Sequence, residues 1–233
     1  MSAYGSIKRS SAANAALSPK LWPVASTASS ESHHVTTYHL TLSIAQRLES
    51  LLAYLSAVFA QEVEDGLTYP QEGDMDRAAF EAYFFAADVF VGITCERGAV
   101  QLDETREEVE PDIEKARAGR TWEECVAGFY YIKPNYPGRS SHICNAGFVV
   151  PPVQRGKGYG RVLALSYVEY APQLGYQASV FNLVYVNNVA SIKLWERLNF
   201  TRAGLIPRAG RLKRRDGDGE EYVDAIVFYK SFV

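Results

Sequence analysis

The period of the apolar positions changes several times along the chain, and each change marks an element. Residues 38–42 alternate enough for a short strand. Ser43 then precedes Ile44, Leu48, Leu51, Leu52, Leu55, Val58 and Phe59, which share one face at a helical period and predict an amphipathic helix ending near Gly66. Asp74 or Asp76 can cap a second helix running to Ala86, after which Val89, Phe90, Val91 and Ile93 read as a buried strand. Apolar content collapses over residues 96–124, where charges crowd around 103–108. Such runs are usually solvated, so this stretch is expected as a charged surface insertion with room for one surface helix. Strand character returns at 125–132 and 143–150, and the turn-rich Pro134-Asn135-Tyr136-Pro137-Gly138 between them predicts a hairpin. A helix over 159–170, a strand over 179–186, a helix over 189–198 and strands near Phe200 and at 222–229 complete the order.

Composition narrows what this pattern can be. The chain has 233 residues, 47% apolar and 22% charged, which fits one large domain, or one domain plus an arm, and the mixed order of strands and helices makes its class α/β. The longest apolar runs, 146–153 and 179–186, fall far short of the roughly 20 apolar residues that a membrane span needs. A net charge of −3 supplies no basic field for nucleic acid, so a small-molecule partner is the better expectation. Cys95, Cys125 and Cys144 form no C-x-x-C pair, which argues against a disulfide framework or a zinc site and for a reducing compartment, the cytoplasm. The first thirty residues hold eight Ser and seven Ala, with Lys8, Arg9 and Lys20 and no acid before Glu31. A mitochondrial transit segment is the alternative there, but a single Arg and the lack of an amphipathic pattern favour a plain disordered tail over 1–30, followed by one domain over 31–233.

The sharpest local signal is Gln154-Arg155-Gly156-Lys157-Gly158-Tyr159-Gly160, which follows an apolar strand and opens a helix. Glycines let the backbone approach a ligand, and amides at a helix N-terminus with Arg155, Lys157 and Arg161 beside them suit a pyrophosphate. No Gly-Lys-Ser/Thr ends the loop, so it is not a Walker A loop, and its R-x-x-G-x-G spacing is not the dinucleotide fingerprint. On its own a glycine-rich turn is most often a turn; the strand-turn-helix setting raises the phosphate reading above that.

Arg155-x-x-Gly158-x-Gly160 resembles the pyrophosphate loop of the GNAT acetyltransferases, and Asn188-Val-Ala-Ser191 before Ile192 resembles the family's next motif. The resemblance implies a GNAT fold, a mixed central sheet flanked by helices, with acetyl-CoA as acetyl donor. It places the cofactor along Phe148, Val149 and Val150, at Arg155, Gly156, Lys157, Gly158, Tyr159, Gly160 and Arg161, and beside Asn188, which is also a good N-cap. Two departures stand out. Trp195 occupies a position where many members have a Tyr able to protonate the leaving thiolate, and Asn199 replaces a Gly, a mild change because Asn tolerates the left-handed C-cap.

Tyr131-Ile-Lys-Pro-Asn-Tyr136, Cys144-Asn-Ala-Gly-Phe148, Phe181-Asn-Leu-Val184 and Leu198-Asn-Phe200 are together similar to the fungal L-azetidine-2-carboxylate N-acetyltransferases, the Mpr group. That likeness is dense over residues 125–210. It implies a small cyclic imino acid as acceptor, direct acetyl transfer, a homodimer, and substrate contacts at Asn145 and Asn182. Core-satisfied asparagines are the structural alternative. Another amine as acceptor, such as a polyamine, an amino acid or a protein, or a non-catalytic CoA-binding module, stays open. So does the general base, for which His142, Cys144, Tyr185 and a water chain are candidates. By strand alternation Cys144 points away from Asn145 and reads as a core residue rather than a nucleophile, and His33, His34 and His39 are expected at the surface.

Overall fold

The computed structural model describes residues 16–24, 33–95 and 109–233. In chain order the elements are β1 (Lys20–Pro23), β2 (His34–Leu40), α1 (Leu42–Ala45), α2 (Glu49–Asp65), α3 (Arg77–Phe84), β3 (Asp88–Thr94), α4 (Ile113–Arg117), α5 (Trp122–Cys125), β4 (Val126–Pro134), β5 (Ile143–Val149), α6 (Tyr159–Gln173), β6 (Ala178–Tyr185), α7 (Val189–Arg197), β7 (Thr201–Lys213) and β8 (Glu220–Ser231). The eight strands form one sheet in the order β1-β2-β3-β4-β5-β6-β8-β7. Only β5 and β6, joined through α6, run parallel; the other pairs are antiparallel.

Strand alternation sorts the core onto the two faces. Phe90, Tyr130, Ile132, Cys144, Phe181 and Phe228 pack with α6 and Trp195 of α7 on one side. Val89, Val91, Phe129, Tyr131 and Val149 pack with α2 and α3 on the other. On α2 the stripe Leu51, Leu52, Leu55, Phe59 and Val63 is buried, and Gly66 ends the helix at φ 63°, a left-handed cap that a residue with a Cβ adopts only with strain. Asp76 rather than Asp74 caps α3, its carboxylate accepting from the Ala79 amide.

Several expectations change. Within the expected tail, Lys20–Pro23 is an edge strand: Trp22 donates from Nε1 to Thr37 Oγ1 at 2.8 Å and packs edge-on against Tyr170. Residues 1–15 and 25–30 of that tail lie outside the described residues, as do 96–108 of the charged excursion, whose remainder carries two short helices rather than one. His39 is not a surface residue. It is 8% exposed, stacks on Phe90 and meets the Asp88 carboxylate at 3.0 Å, because a polar ring on a buried strand is tolerable once a partner satisfies it. His33 and His34 are half-buried. Finally, the strand expected near Phe200 is the 13-residue β7, broken by bulges at Arg202/Gly204 and Ile206/Gly210.

Candidate functional site

The site begins where the one parallel pairing fails. β5 and β6 are in register only at Ile143↔Ala178 and Cys144↔Ser179, after which β6 turns away and bulges between Phe181 and Val184. In consequence Asn145, Ala146, Gly147 and Phe148 are only half-buried, although β5 lies in the middle of the sheet. The phase of the β4–β5 ladder says which backbone groups face this opening. Asn135 N donates to Ile143 O at 2.8 Å, and hydrogen-bonded pairs recur every second residue. Asn145, Gly147 and Val149 therefore direct their amides and carbonyls at β4, while Ala146, Phe148 and Val150 direct theirs at the open edge. The Ala146 amide is taken by Asn145 Oδ1 at 2.8 Å, which leaves Phe148 and Val150 as the edge's outward donors. Val149, expected to line the cofactor, has its backbone in the β4 ladder and its side chain in the core.

Beyond the edge, the chain passes through the glycine loop into α6. Gly156 and Gly158 have φ of 77° and 84°, and Gly158 is the N-cap of this 15-residue helix. Among the described residues no backbone carbonyl accepts from the amides of residues 156–160, and a Cβ added at Gly156 would meet nothing within 4 Å. The loop is thus an open row of donors at a positive helix end, and this donor set fits a pyrophosphate. The basic side chains are less available than their spacing implies. Arg155 donates from Nε to Val150 O at 3.1 Å and pairs with Glu62 of α2 at 2.6 Å, and Lys157 Nζ bonds to Gln154 Oε1 at 2.9 Å. Tyr159 is buried, and Arg161 is exposed on the first turn.

Asn145 and Asn182 lie on one side of the opening. Lys133↔Asn145 and Tyr131↔Gly147 are cross-strand pairs, and the side chain of Tyr131 packs on the α2–α3 face, so Asn145 projects to that same face. Tyr185, opposite Ala225 and pressed against Gly210, is also there; a Cβ on Gly210 would come within 2.5 Å of the ring. Asn182 is locked in a reciprocal carboxamide pair. Asn135 Nδ2 donates to Asn182 Oδ1 at 3.1 Å, and Asn182 Nδ2 donates to Asn135 Oδ1 at 2.6 Å. Tyr83 and Tyr131 share a hydrogen bond of 3.0 Å, and Tyr69 donates to Phe148 O at 3.2 Å. Gly147 permits this packing, since a Cβ there would lie 2.7 Å from the Tyr69 hydroxyl. Lys133 sits over the rings of Tyr83 and Tyr131, with Nζ 3.9 and 4.2 Å from their centroids. Asn135 and Lys133 fall in the Tyr131–Tyr136 motif, but nothing in the sequence marks either as a site residue.

The proton-transfer candidates separate by environment. Cys144 is fully buried on the α6 face, with Sγ 3.1 Å from the Tyr167 hydroxyl; burial pushes its thiol up to about 12, so it is a core residue, as strand alternation predicts. His142 lies at the joined end of β5 and β6, its Nδ1 against Arg139 O. The Tyr185 hydroxyl is buried with no hydrogen-bond partner among the described residues, and burial raises its pKa. Trp195 is core: it is 4% exposed, packs on Phe181 and donates to Ser191 Oγ at 2.9 Å, so it has no acidic proton to give. Asn188 caps α7, its Oδ1 accepting from Ser191 N at 3.2 Å, and Asn199 ends α7 at φ 58°. Among the described residues no group of His, Cys, Asp and Glu could hold a metal ion, and no helix is long and apolar enough to cross a membrane.

Comparison with known proteins agrees with this geometry. A model of the acetyltransferase (GNAT) family matches residues 93–200. N-acetyltransferase aca1 of Schizosaccharomyces pombe is 46% identical over 184 residues, covering 79% of this chain and 81% of that protein. Protein SPT10 of Saccharomyces cerevisiae is 32% identical over 78% of this chain, which spans 31% of that longer protein. Among solved structures, yncA of Salmonella typhimurium, determined with its cofactor acetyl-CoA, superposes with a TM-score of 0.60 at 17% identity, over 85% of this chain and 94% of that one. The chain belongs to the GNAT acetyltransferase family, enzymes whose acetyl donor is acetyl-CoA.

Proposed function

We propose that this enzyme N-acetylates the secondary amine of a small cyclic imino acid, such as L-azetidine-2-carboxylate or cis-4-hydroxyproline, by direct transfer in a ternary complex. The observation that carries the reading is the placement of Asn145 and Asn182 on one face of the opening between β5 and β6, beside the free edge of β5. Acetyl-CoA supplies an activated thioester. The amides of residues 156–160, with Arg161, would hold its pyrophosphate, and Asn188 lies at the start of the next helix. The outward amides of Phe148 and Val150 would polarise an acyl oxygen at the β5 edge, and fixed donors of this kind need no reorganisation during reaction. Tyr69, hydrogen-bonded to Phe148 O, stiffens that edge from the acceptor side. Asn145 and Asn182 would orient the acceptor, and the Asn135 pairing holds the Asn182 carboxamide in one rotamer. No acyl-cysteine step is needed, and buried Cys144 could not support one.

A panel of acceptors read by thiol release tests the assignment. Cyclic imino acids should exceed polyamines, linear amino acids and lysine peptides in kcat/KM; preference for a linear or cationic amine would replace the reading. We further propose that a second copy docks on β7, a 13-residue sheet edge with Leu205 58% and Ile206 39% exposed. Light scattering should give a dimer mass for the wild type and a monomer for Leu205→Lys; a wild-type monomer would overturn the pairing.

A further inference from the structure

The open edge of β5 is held by a ring of contacts that closes on one carboxylate. Glu62 of α2, its side chain 13% exposed, accepts from Arg155 Nη2 at 2.6 Å through Oε2 and from the Thr68 hydroxyl through Oε1. Arg155 reaches back from the glycine loop and donates from Nε to Val150 O at 3.1 Å. Tyr69, the residue after Thr68, donates to Phe148 O at 3.2 Å. Two outward carbonyls of the β5 edge are therefore bound, one from the glycine loop and one from the segment between α2 and α3, and the two arms meet at Glu62. The geometry points to Glu62 as a positioning residue: acting through Arg155 and Thr68, it makes the glycine loop and residues 67–76 order together around the β5 edge, so that cofactor bound at the loop also fixes the acceptor-side wall and the amides of Phe148 and Val150. This rests on the glycine loop as the pyrophosphate site, and not on which amine is the acceptor.

The chemistry of each link fits this task. A carboxylate so largely buried must be paired, and Glu62 spends one oxygen on each arm. A guanidinium has five N–H donors, and the ring uses one at Nε and one at Nη2, so Arg155 keeps donors for a pyrophosphate without releasing Glu62. Burial, with Tyr83 and Glu62 nearby, raises the Tyr69 pKa well above its ordinary value, so the phenol stays a donor to Phe148 O. A ligand that orders one arm of a closed ring orders the other as well, and whatever binds second meets a wall already fixed. Glutamine at residue 62 would offer a single carbonyl oxygen where the carboxylate offers two, so one link of the ring would have to open.

Hydrogen exchange on the full chain tests the inference with free CoA, which binds without transferring acetyl. In the wild type, saturating CoA should slow exchange at the amides of residues 156–160 and, by about fivefold or more, at those of residues 67–76. Glu62→Gln should keep the first protection and lose the second, and Glu62→Asp should retain part of it. Thr68→Val opens the same ring from the other arm and should behave as Glu62→Gln does; it decides alone should Glu62→Gln fail to fold. With acetyl-CoA and azetidine-2-carboxylate saturating, kcat in Glu62→Gln should fall by about tenfold or more. A carboxylate that only stabilises the fold would lower the melting temperature and leave protection by CoA intact at both segments. Wild-type protection confined to residues 156–160, equal protection of residues 67–76 in wild type and Glu62→Gln, or an unchanged kcat overturns the inference. Bound CoA that protects neither segment refutes the glycine loop as the pyrophosphate site. A wild type inert toward azetidine-2-carboxylate refutes the proposed acceptor, and the exchange measurement then decides the role of Glu62.

Discussion

Truncating Asn182 to Ala removes both halves of its pairing with Asn135, bonds of 3.1 and 2.6 Å. Asn135 is only 5% exposed, so the variant leaves a buried carboxamide with a donor and an acceptor unpaired. That costs about 1–3 kcal/mol, and at 2–4 °C per kcal/mol for a domain of this size Tm should fall by roughly 2–12 °C. Asn145 is different: it is half-buried and its Oδ1 accepts from the adjacent Ala146 amide, so Asn145→Ala should cost about 1 kcal/mol or less. If both carboxamides orient the acceptor, each variant should raise KM for azetidine-2-carboxylate by about 5- to 150-fold, the kinetic equivalent of about 1–3 kcal/mol. Calorimetric affinity for acetyl-CoA should stay put. The paired removal sharpens the point: Asn135→Ala combined with Asn182→Ala should be no less stable than Asn182→Ala alone, because the stranded partner is gone. Strictly additive stability losses, or Asn145→Ala and Asn182→Ala with wild-type kinetics, would refute the reasoning.

Other perturbations have equally direct readouts. Gly158→Val forces a branched residue to φ 84° with its Cβ 3.4 Å from Val24, so acetyl-CoA affinity should drop at least about tenfold while circular dichroism is unchanged; normal affinity would contradict the loop assignment. Cys144, buried and pushed up to about 12, should resist iodoacetamide at pH 8 in the native protein and react only after unfolding, as peptide mass mapping would show. Tyr185→Phe breaks no protein hydrogen bond among the described residues, so its stability should change by less than about 0.5 kcal/mol in denaturant titration; a larger loss would reveal a partner for the hydroxyl.

The parts of this molecule that could be read from sequence are those governed by local rules. The stripe from Leu51 to Phe59, an Asp cap at 74 or 76, the β4–β5 hairpin, Cys144 facing the core and Asn199 in a left-handed cap all follow from periodicity, capping and turn chemistry. The glycine loop was legible for the same reason: a strand, a turn with positive φ and a helix leave a contiguous trace. What escaped depends on residues far apart in the chain. His39 is buried because Asp88 satisfies it across 49 residues, and Trp22 is anchored through Thr37 and Tyr170. Asn135 meets Asn182 only across 47 residues, where β6 leaves β5. The length of β7 was hidden by Gly204, Pro207 and Gly210 and by its exposed edge, where no alternation of apolar and polar residues is demanded. The pairing of Arg155 with Glu62 of α2 could not be seen in the sequence either.

The central claim joins the open β5 edge and glycine loop to an imino-acid acceptor on the α2–α3 face, and one measurement bears on both halves at once. Acetyl-CoA and L-azetidine-2-carboxylate are incubated with the enzyme, and free CoA and N-acetylated product are quantified together by mass spectrometry. The account predicts equal molar yields of the two, rising linearly with time and vanishing when the acceptor is omitted. CoA release that is indifferent to the imino acid, or acetyl found on polyamines or lysine peptides while azetidine-2-carboxylate remains unmodified, would contradict it.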